Sequence, residues 1–381
     1  MRKNLFIFFL IFISINVYSA NINVEELKIV ADGYFLTTNN TKFQMNTYFK
    51  FITSFDGGYK FAARVAFETS TKQLETNFIT NQFGLGNVYL FFKDAEVRIK
   101  NLANDHLDLS FWTGTHKYLG YGNKYKGYMY YPFSNDLDYA GFYRMRGTGI
   151  SAEMKFWEDK FRGSFHIYQN TNFIALDPNA LNYFSFDTEV GLYFKNISLE
   201  FFGGYTKEFI YPNDDASSDM KFGRGKVGAS LWVGNEYIDF FTSFGIPDID
   251  TKIESTNFNH FYLLGELHFK LFIVDNTITF ITKPNLYNEL PKSKRLENYD
   301  FDLNYKLHVV KESFPLSGGF VFNLKYSMQN TNNYSINLSP FLSVLISGVI
   351  WELHVNYDFG KIATGNYADG LRIVLGATTR F

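Results

Sequence analysis

The sequence predicts an all-β protein, a transmembrane antiparallel β-barrel of about 18 strands, with about 16 as the alternative. The chain contains 44 Phe and 27 Tyr residues but only 8 Pro, and aromatic side chains favour strands. Apolar and polar residues alternate with a period of two in one segment after another, as in strands with one apolar face. The connections between these segments alternate between short and long.

The N-terminus has the pattern of a secretory signal peptide, predicted to span residues 1–19 and to be cleaved after Ser19 or Ala20. Arg2 and Lys3 precede an apolar run over residues 5–15, which is too short to cross a bilayer comfortably. We expect the mature chain, residues 20–381, to be exported. The chain has no cysteine, which excludes disulfides and a lipid anchor, and its net charge of −2 gives no basic field for nucleic acid.

Two segments near the C-terminus show the alternation most clearly. Residues 351–359 place Trp, Leu, Val, Tyr and Phe on one face and Glu, His, Asn and Asp on the other. Residues 299–309 repeat the rule with three tyrosine or phenylalanine side chains opposite charged and amide groups. Helical spacing would scatter these charges around a cylinder, so strands are favoured.

The same rule divides the chain into about 18 predicted strands. They are centred near Tyr34, Tyr48, Val65, Val97, Leu109, Met154, Phe165, Val190, Phe201, Ala229, Phe240, Leu267, Phe280, Tyr305, Leu324, Ile336, Val355 and Ile373. Short turns are predicted after even-numbered strands, at Glu158-Asp159, Asn196, Gly234-Asn235 and Asp275-Asn276. Long loops are predicted after most odd-numbered strands, at 70–86, 118–147, 172–182, 210–222, 247–259 and 287–297.

Outer-membrane barrels have short periplasmic turns, long outer loops and an even strand number, so this parity predicts a barrel in the outer membrane. A soluble sandwich, the alternative for any alternating strand, has no reason to alternate its connections in this way. The last strand ends in the aromatic Phe381. This ending resembles the signature by which the barrel insertion machinery recognises its clients, so that machinery and outer-membrane lipid are expected partners.

The polar faces would line the interior, and their charges have both signs, including Glu96 and Arg98, which are predicted to contact solute. We expect water to solvate them, with no strong selection for anions or cations. Aromatic residues also fall on this face, among them Tyr34 and Trp112. One interpretation is that they belong to interfacial girdles or loop bases. The other is a track of flat rings that stack on sugars.

The longest predicted loop, 118–147, is rich in tyrosine and contains two lysines. It is expected to fold into the barrel as a constriction, with an outer lid as the alternative. The residues proposed to contact solute there are Tyr118, Lys124, Lys126, Tyr128, Tyr130 and Tyr131.

The stretch 95–149 resembles the maltoporin (sugar porin) family. It reads AEVRIKNL, LSFWTGTHKY, YMYYPFSND and RGTG in order, and Asp32-Gly33-Tyr34 is similar to that family's first-strand motif. The resemblance implies a homotrimeric, 18-stranded maltodextrin-type channel with an aromatic slide. It matches Tyr34 to the first slide tyrosine, Trp112 to a positioning tryptophan, and Tyr130, or Tyr128 or Tyr131, to the constriction tyrosine.

The chain also departs from the family pattern. Gly120-Tyr121-Gly122 replaces a basic, histidine and acidic cluster, Leu36 replaces an arginine, and Arg380-Phe381 replaces an aromatic pair. Lys124 and Lys126 are the candidates to restore the lost charge. Maltodextrin specificity therefore does not follow from the resemblance.

The expected function is passive uptake of small hydrophilic solutes, with sugars or maltodextrin-like oligosaccharides favoured and a general diffusion porin as the alternative. A surface adhesin and a barrel enzyme are less favoured. The seven histidines are spread over different strands and turns, so no catalytic constellation is predicted. Neither a metal site nor a cofactor is expected, since no ligand cluster or phosphate-binding motif is present.

Overall fold

The structure is a computed structural model. The residues that it describes are 21–36, 42–71, 88–120, 142–171, 183–208, 223–250, 261–284, 299–310, 315–327, 334–363, 365 and 370–380. The predicted signal peptide 1–19 lies outside the described residues.

Eighteen strands form one closed antiparallel sheet. They are β1 (Asn21–Leu36), β2 (Lys42–Asp56), β3 (Phe61–Thr71), β4 (Val88–Asn101), β5 (Leu107–Leu119), β6 (Tyr143–Phe156), β7 (Phe161–Asn170), β8 (Tyr183–Tyr193), β9 (Ile197–Glu208), β10 (Gly223–Gly234), β11 (Ile238–Asp250), β12 (Tyr262–Leu271), β13 (Val274–Pro284), β14 (Tyr299–Val309), β15 (Leu316–Ser327), β16 (Tyr334–Ile346), β17 (Val349–Asp358) and β18 (Leu371–Arg380).

Each strand pairs with the next along the chain, and β18 closes the barrel on β1. The closing register runs from Glu26 opposite Arg380 to Tyr34 opposite Arg372. Closure leaves no unpaired sheet edge, which is what a lipid environment requires of strands. The predicted fold class is confirmed with 18 strands rather than 16, and every predicted strand centre lies in its corresponding strand.

The two ends of the barrel differ in their connections, as the sequence predicts. The connections after even-numbered strands are short, for example 57–60, 157–160, 272–273 and 347–348, and one contains the helical turn α1 (Leu102–Asp105). The connections after odd-numbered strands are mostly longer, and the longest is 120–142. The last of them contains α2 (Phe359–Ala363). We call these two ends the turn end and the loop end.

One predicted turn is wrong in position. Asp275 and Asn276 lie in β13, and the turn is at residues 272–273, where Phe272 has a φ of 55°. Residues 271–274 are all apolar, whereas turns are ordinarily built from Gly, Pro, Asn, Asp or Ser. The turn was therefore predicted at the polar pair that follows, Asp275-Asn276. Two strands also extend into segments that were predicted as loops. β6 begins at Tyr143, within the predicted loop 118–147, and β11 ends at Asp250, within the predicted loop 247–259.

The two faces of the wall differ in the way that a membrane barrel requires. Outward side chains are apolar and exposed, such as Phe111 and Phe201 at 56% and 57%. Inward side chains are largely polar and buried, such as Ser185, Asp187 and Thr279. An apolar exterior over a polar interior is the arrangement expected in lipid. Among the described residues, no helix has the length and apolar character needed to cross a bilayer.

Exposed aromatic residues surround the turn end. Tyr59, Trp157, Phe194, Tyr237 and Phe272 each project from a short connection and are exposed. Aromatic rings collect at the level of lipid headgroups, where an apolar ring and a wet surface meet. This collar therefore marks one boundary of the bilayer.

Candidate functional site on the inner wall

The loop ends of β5 and β6 turn into the barrel. A register shift between Thr115 and Tyr118 places two consecutive side chains, His116 and Lys117, on the inner side. The Lys117 ammonium donates to the Ser164 hydroxyl at 3.2 Å and forms an ion pair with Glu189, two and three strands away. A bulge of this kind bends its strand, and here it carries the end of β5 toward the barrel interior.

Residues at these two strand ends pack against the inner wall of β9–β12. Leu119 and Phe142 are fully buried, and the Phe142 amide donates to the Leu119 carbonyl at 2.9 Å. The Phe142 ring lies 4.8 Å from the ring of Phe202 on β9 and 5.7 Å from that of Tyr262 on β12. Gly120, the last described residue after β5, and Phe142, the first described residue before β6, are therefore inside the barrel.

Glycine is required where this packing is closest. Gly120 has a φ of +70°, and a Cβ built on it would lie 2.6 Å from Phe202 and 2.9 Å from the Ser243 hydroxyl. A Cβ on Gly245 would lie 2.7 Å from the Phe142 ring. A side chain at either position would displace the ends of β5 and β6. Glycine at both positions therefore allows these ends to pack closely against the wall.

A buried ion pair between Lys226 and Asp187 lies against Tyr143 at the start of β6. The Lys226 ammonium lies 2.8 Å from the Asp187 carboxylate and 3.6 Å from the centre of the Tyr143 ring. The Tyr168 hydroxyl donates to the same carboxylate at 2.7 Å. Lys226 is 5% exposed and Asp187 is fully buried, so each charge depends on its partners rather than on water.

Trp112, which the sequence placed on the inner face, does lie there but is packed. Trp112, Leu119, Phe142, Tyr143, Met145, Tyr168, Phe202, Trp232, Phe241, Tyr262, Leu264 and Ile281 form one buried cluster. Trp112 is 1% exposed, donates to the Ser151 hydroxyl at 2.8 Å and stacks on His116 at 4.6 Å. We call this set the aromatic cluster. It fills the side of the barrel formed by β5–β13.

Charged residues of β1–β8 form ion pairs within a strand, between neighbouring strands and between strands two apart. Arg98 lies 2.8 Å from Glu96 and 3.3 Å from Glu153, so the two predicted site residues contact one another. Arg64 likewise joins Glu25 at 3.0 Å and Asp94 at 2.6 Å, and Lys155 joins Asp108 at 3.1 Å. The sequence predicted charges solvated by water. The structure pairs them because long Arg and Lys side chains reach carboxylates on the same inner face, on their own strand or up to two strands away.

Four asparagines form a row across β14–β17, which we call the amide row: Asn304, Asn323, Asn337 and Asn356. The Asn323 amide donates to Asn304 at 2.7 Å, Asn337 donates to Asn323 at 3.4 Å, and Asn356 donates to Asn337 at 3.5 Å. Asp302 accepts from Asn304 at 3.2 Å and also from Asn323. The row continues through Arg372, opposite Asn356, to the carboxylate of Asp32 on β1.

The structure also brings together histidines that are far apart in sequence. His116 and His166 lie 5.6 Å apart between ring centres, and the Ser151 hydroxyl is 3.3 Å from one and 2.6 Å from the other. His308 and His354 flank Phe341 at 5.2 and 4.9 Å. Sequence reasoning missed both pairs because their strands are not consecutive. Ser151 is buried, so it is packed rather than presented to a solute.

The remaining predicted site residues fall into two groups. Tyr34 is half-buried on β1, opposite Arg372 and Gln44. Tyr118 is half-buried and lies opposite Arg144 in the register. Lys124, Lys126, Tyr128, Tyr130 and Tyr131 lie outside the described residues. Within the described part of the chain, no group of three or more His, Asp or Glu side chains is placed to hold a metal ion.

No protein-family model matches the sequence, and no curated protein matches it either. Among solved structures, Wzi of Escherichia coli, an outer-membrane protein involved in group 1 capsule assembly and described as a carbohydrate-binding β-barrel, is similar at a TM-score of 0.51 and 10% identity, over 94% of this chain and 85% of Wzi.

Two porins are also similar, each at 10% identity. They are OmpF of Salmonella typhi, in complex with daunomycin, at a TM-score of 0.48 over 95% of this chain and 97% of OmpF, and a substituted Rh. blastica porin at 0.46 over 95% and 100%. At this identity the likeness is one of fold. The chain folds as a closed antiparallel barrel of the outer-membrane type.

Proposed function

We propose that the protein is an outer-membrane channel for passive diffusion of small hydrophilic solutes. The observation that carries the proposal is the division of the closed barrel: an exposed apolar exterior and an interior lined by charged and amide side chains. Burying so many polar groups in a dry interior would be costly, and a solute path with water lowers that cost.

The loop 118–147 is proposed to narrow the channel from inside. Support comes from the two described stretches that lead into it, since Leu119-Gly120 and Phe142-Tyr143 lie within the barrel against the wall of β9–β12. The proposed constriction residues remain Lys124, Lys126, Tyr128, Tyr130 and Tyr131.

The solute path is proposed to follow the side of the barrel that the aromatic cluster leaves free, along β14–β18 and β1–β4. The amide row lies there, together with the Arg372–Asp32 pair and Tyr34. Asn304 and Asn323 of the amide row are 2% and 1% exposed, so they support the wall rather than contact a solute. The preference for sugars then rests on the half-buried Tyr34 and Arg372 rather than on Trp112.

The general diffusion porin remains the second candidate. It is favoured by the cross-strand ion pairs, which leave mixed charge along β1–β8, and by the burial of the inner aromatic residues. Neither feature selects strongly for one class of solute. From the family resemblance we also propose a homotrimer, and from the N-terminal pattern an exported precursor.

Single-channel recording in a planar lipid bilayer tests the proposal. The mature protein, residues 20–381, is expected to give stable conductance steps, and linear maltodextrins are expected to block them more strongly as the chains lengthen. Replacement of Tyr34 by Ala should weaken that block. Conductance without block would favour the general porin, and a barrel that inserts but never conducts would contradict the channel.

A further inference from the structure

Several ion pairs on the inner wall are layered, with the cation more exposed than the carboxylate. The side chain of Arg98 is 30% exposed and that of Glu96 is 11% exposed, and the corresponding fractions are 36% for Lys155 and 7% for Asp108. Three further pairs show the same order: Arg64 over Asp94, Lys325 over Asp302, and Arg372 over Asp32. We call the five cations of these pairs, Arg64, Arg98, Lys155, Lys325 and Arg372, the cationic lining.

All five side chains of the cationic lining point into the barrel. The residues next to Arg98 and Lys155 along their strands are exposed on the outer wall: Val97, Ile99, Met154 and Phe156. For the other three cations, a residue two positions away on the same strand is buried: Ala66, Asn323 and Val374. The exposed part of each cation therefore faces the barrel interior, and its carboxylate partner lies covered beneath it.

The cationic lining follows the side of the barrel that the aromatic cluster leaves free. Arg372 and Lys325 lie near the loop end, and Arg64 and Arg98 lie nearer the turn end. Arg64 is opposite Glu96 in the register, two residues from Arg98. Such diagonal positions are about 7–8 Å apart, so the two guanidinium groups lie side by side on the wall of the proposed solute path.

Two ion pairs show the opposite order. Glu25 is more exposed than Arg64, and Asp56 is more exposed than Lys100. Asp56 is the last residue of β2 and Glu25 is the fifth residue of β1, so both carboxylates belong to the turn-end part of the wall. A solute that enters from the loop end therefore meets exposed cations first.

We propose that the channel admits anionic solutes in preference to cations, with the cationic lining as the surface that they contact. Electrostatic attraction weakens with distance, and a covered carboxylate is farther from the solute than the guanidinium or ammonium group above it. The attraction should be strongest for oxyanions, because the guanidinium group donates paired hydrogen bonds to two oxygens at once. This inference rests on the proposed channel and names the class of solute that it carries.

Reversal potentials across a planar bilayer in a KCl gradient at low salt test the charge preference, since salt screens exposed charges. Cl⁻ is expected to permeate about fivefold more readily than K⁺ through the parent protein. R64Q/R98Q should lower this ratio to about one or below, and R64K/R98K should keep most of it. K160Q, which changes an exposed lysine of a turn, should keep all of it.

The variant D94N/E96Q separates the layered wall from net charge alone. It adds as much positive charge as R64Q/R98Q removes, but the carboxylates that it neutralises are covered. The permeability ratio should therefore change less than in R64Q/R98Q. Equal and opposite changes in the two variants would overturn the layering. Heat-modifiable gel mobility shows whether each variant is folded, and R98Q alone serves if the double variant is not.

An oxyanion probe distinguishes charge from sugar as the feature that is recognised. Glucose 6-phosphate should interrupt the current at concentrations at which glucose does not, and equal effects of the two would overturn the proposal. A Cl⁻ to K⁺ ratio near one in the parent would also overturn it while leaving the channel standing. Absence of any conductance would overturn both this inference and the channel on which it rests.

Discussion

Replacing Lys226 with Met should destabilise the barrel more than substitution of an exposed residue would. The variant leaves the Asp187 carboxylate buried with only the Tyr168 hydroxyl as a described side-chain donor. Both members of the pair are nearly inaccessible to solvent, so water does not screen the remaining charge. Breaking a buried ion pair by removing one partner costs about 3–5 kcal/mol. We expect a loss of this size in the free energy of unfolding.

The assay is urea unfolding of the protein folded into lipid vesicles, followed by the fluorescence of its four tryptophans. The matched control is the double variant D187N/K226M, which removes both charges and leaves an amide oxygen to accept from Tyr168. It should recover most of the lost stability, because a pair replaced by neutral groups leaves no stranded charge. The reasoning is refuted if K226M stays within about 1 kcal/mol of the parent, or if the double variant is no more stable than the single one.

Three further changes have defined outcomes. G228A should lose about 1–3 kcal/mol of unfolding free energy in the same assay, because its Cβ would lie 2.4 Å from a neighbouring aromatic ring, whereas G265A, with nothing within 4 Å, should be nearly neutral. N323L should lose about 1–3 kcal/mol, because it breaks the centre of the amide row and leaves buried partners unsatisfied. R98Q should shift the reversal potential toward cation selectivity by freeing two carboxylates, and K160Q, an exposed turn residue, should not.

Alternation in the sequence predicted the strands well, because a barrel strand keeps one apolar and one polar face along its whole length. All 18 predicted centres lie in the right strands. The pattern says less about where a strand ends. Around Phe272 the apolar run continues through the turn, and the backbone conformation of that residue, not its polarity, makes the connection.

The candidate site was harder to predict, since a bulge changes the parity that assigns each side chain to a face. Between Thr115 and Tyr118 the shift sends His116 and Lys117 inward together. The sequence placed Tyr118 among the solute contacts because it treated the loop as starting there. A shift of one residue in register changes the parity that assigns each later side chain to a face, and the role of Tyr118 in solute contact stays a prediction.

Contacts between side chains of distant strands could not be predicted from the alternation within each strand. Trp112 was predicted on the inner face and lies there, yet the inward ends of β5 and β6 complete a packed cluster around it. The amide row, in contrast, joins neighbouring strands in register and has no apolar cover from that cluster. We expect N323L to lower stability while leaving the aromatic cluster intact, because Asn323 is 1% exposed and its partners are amides of the neighbouring strands.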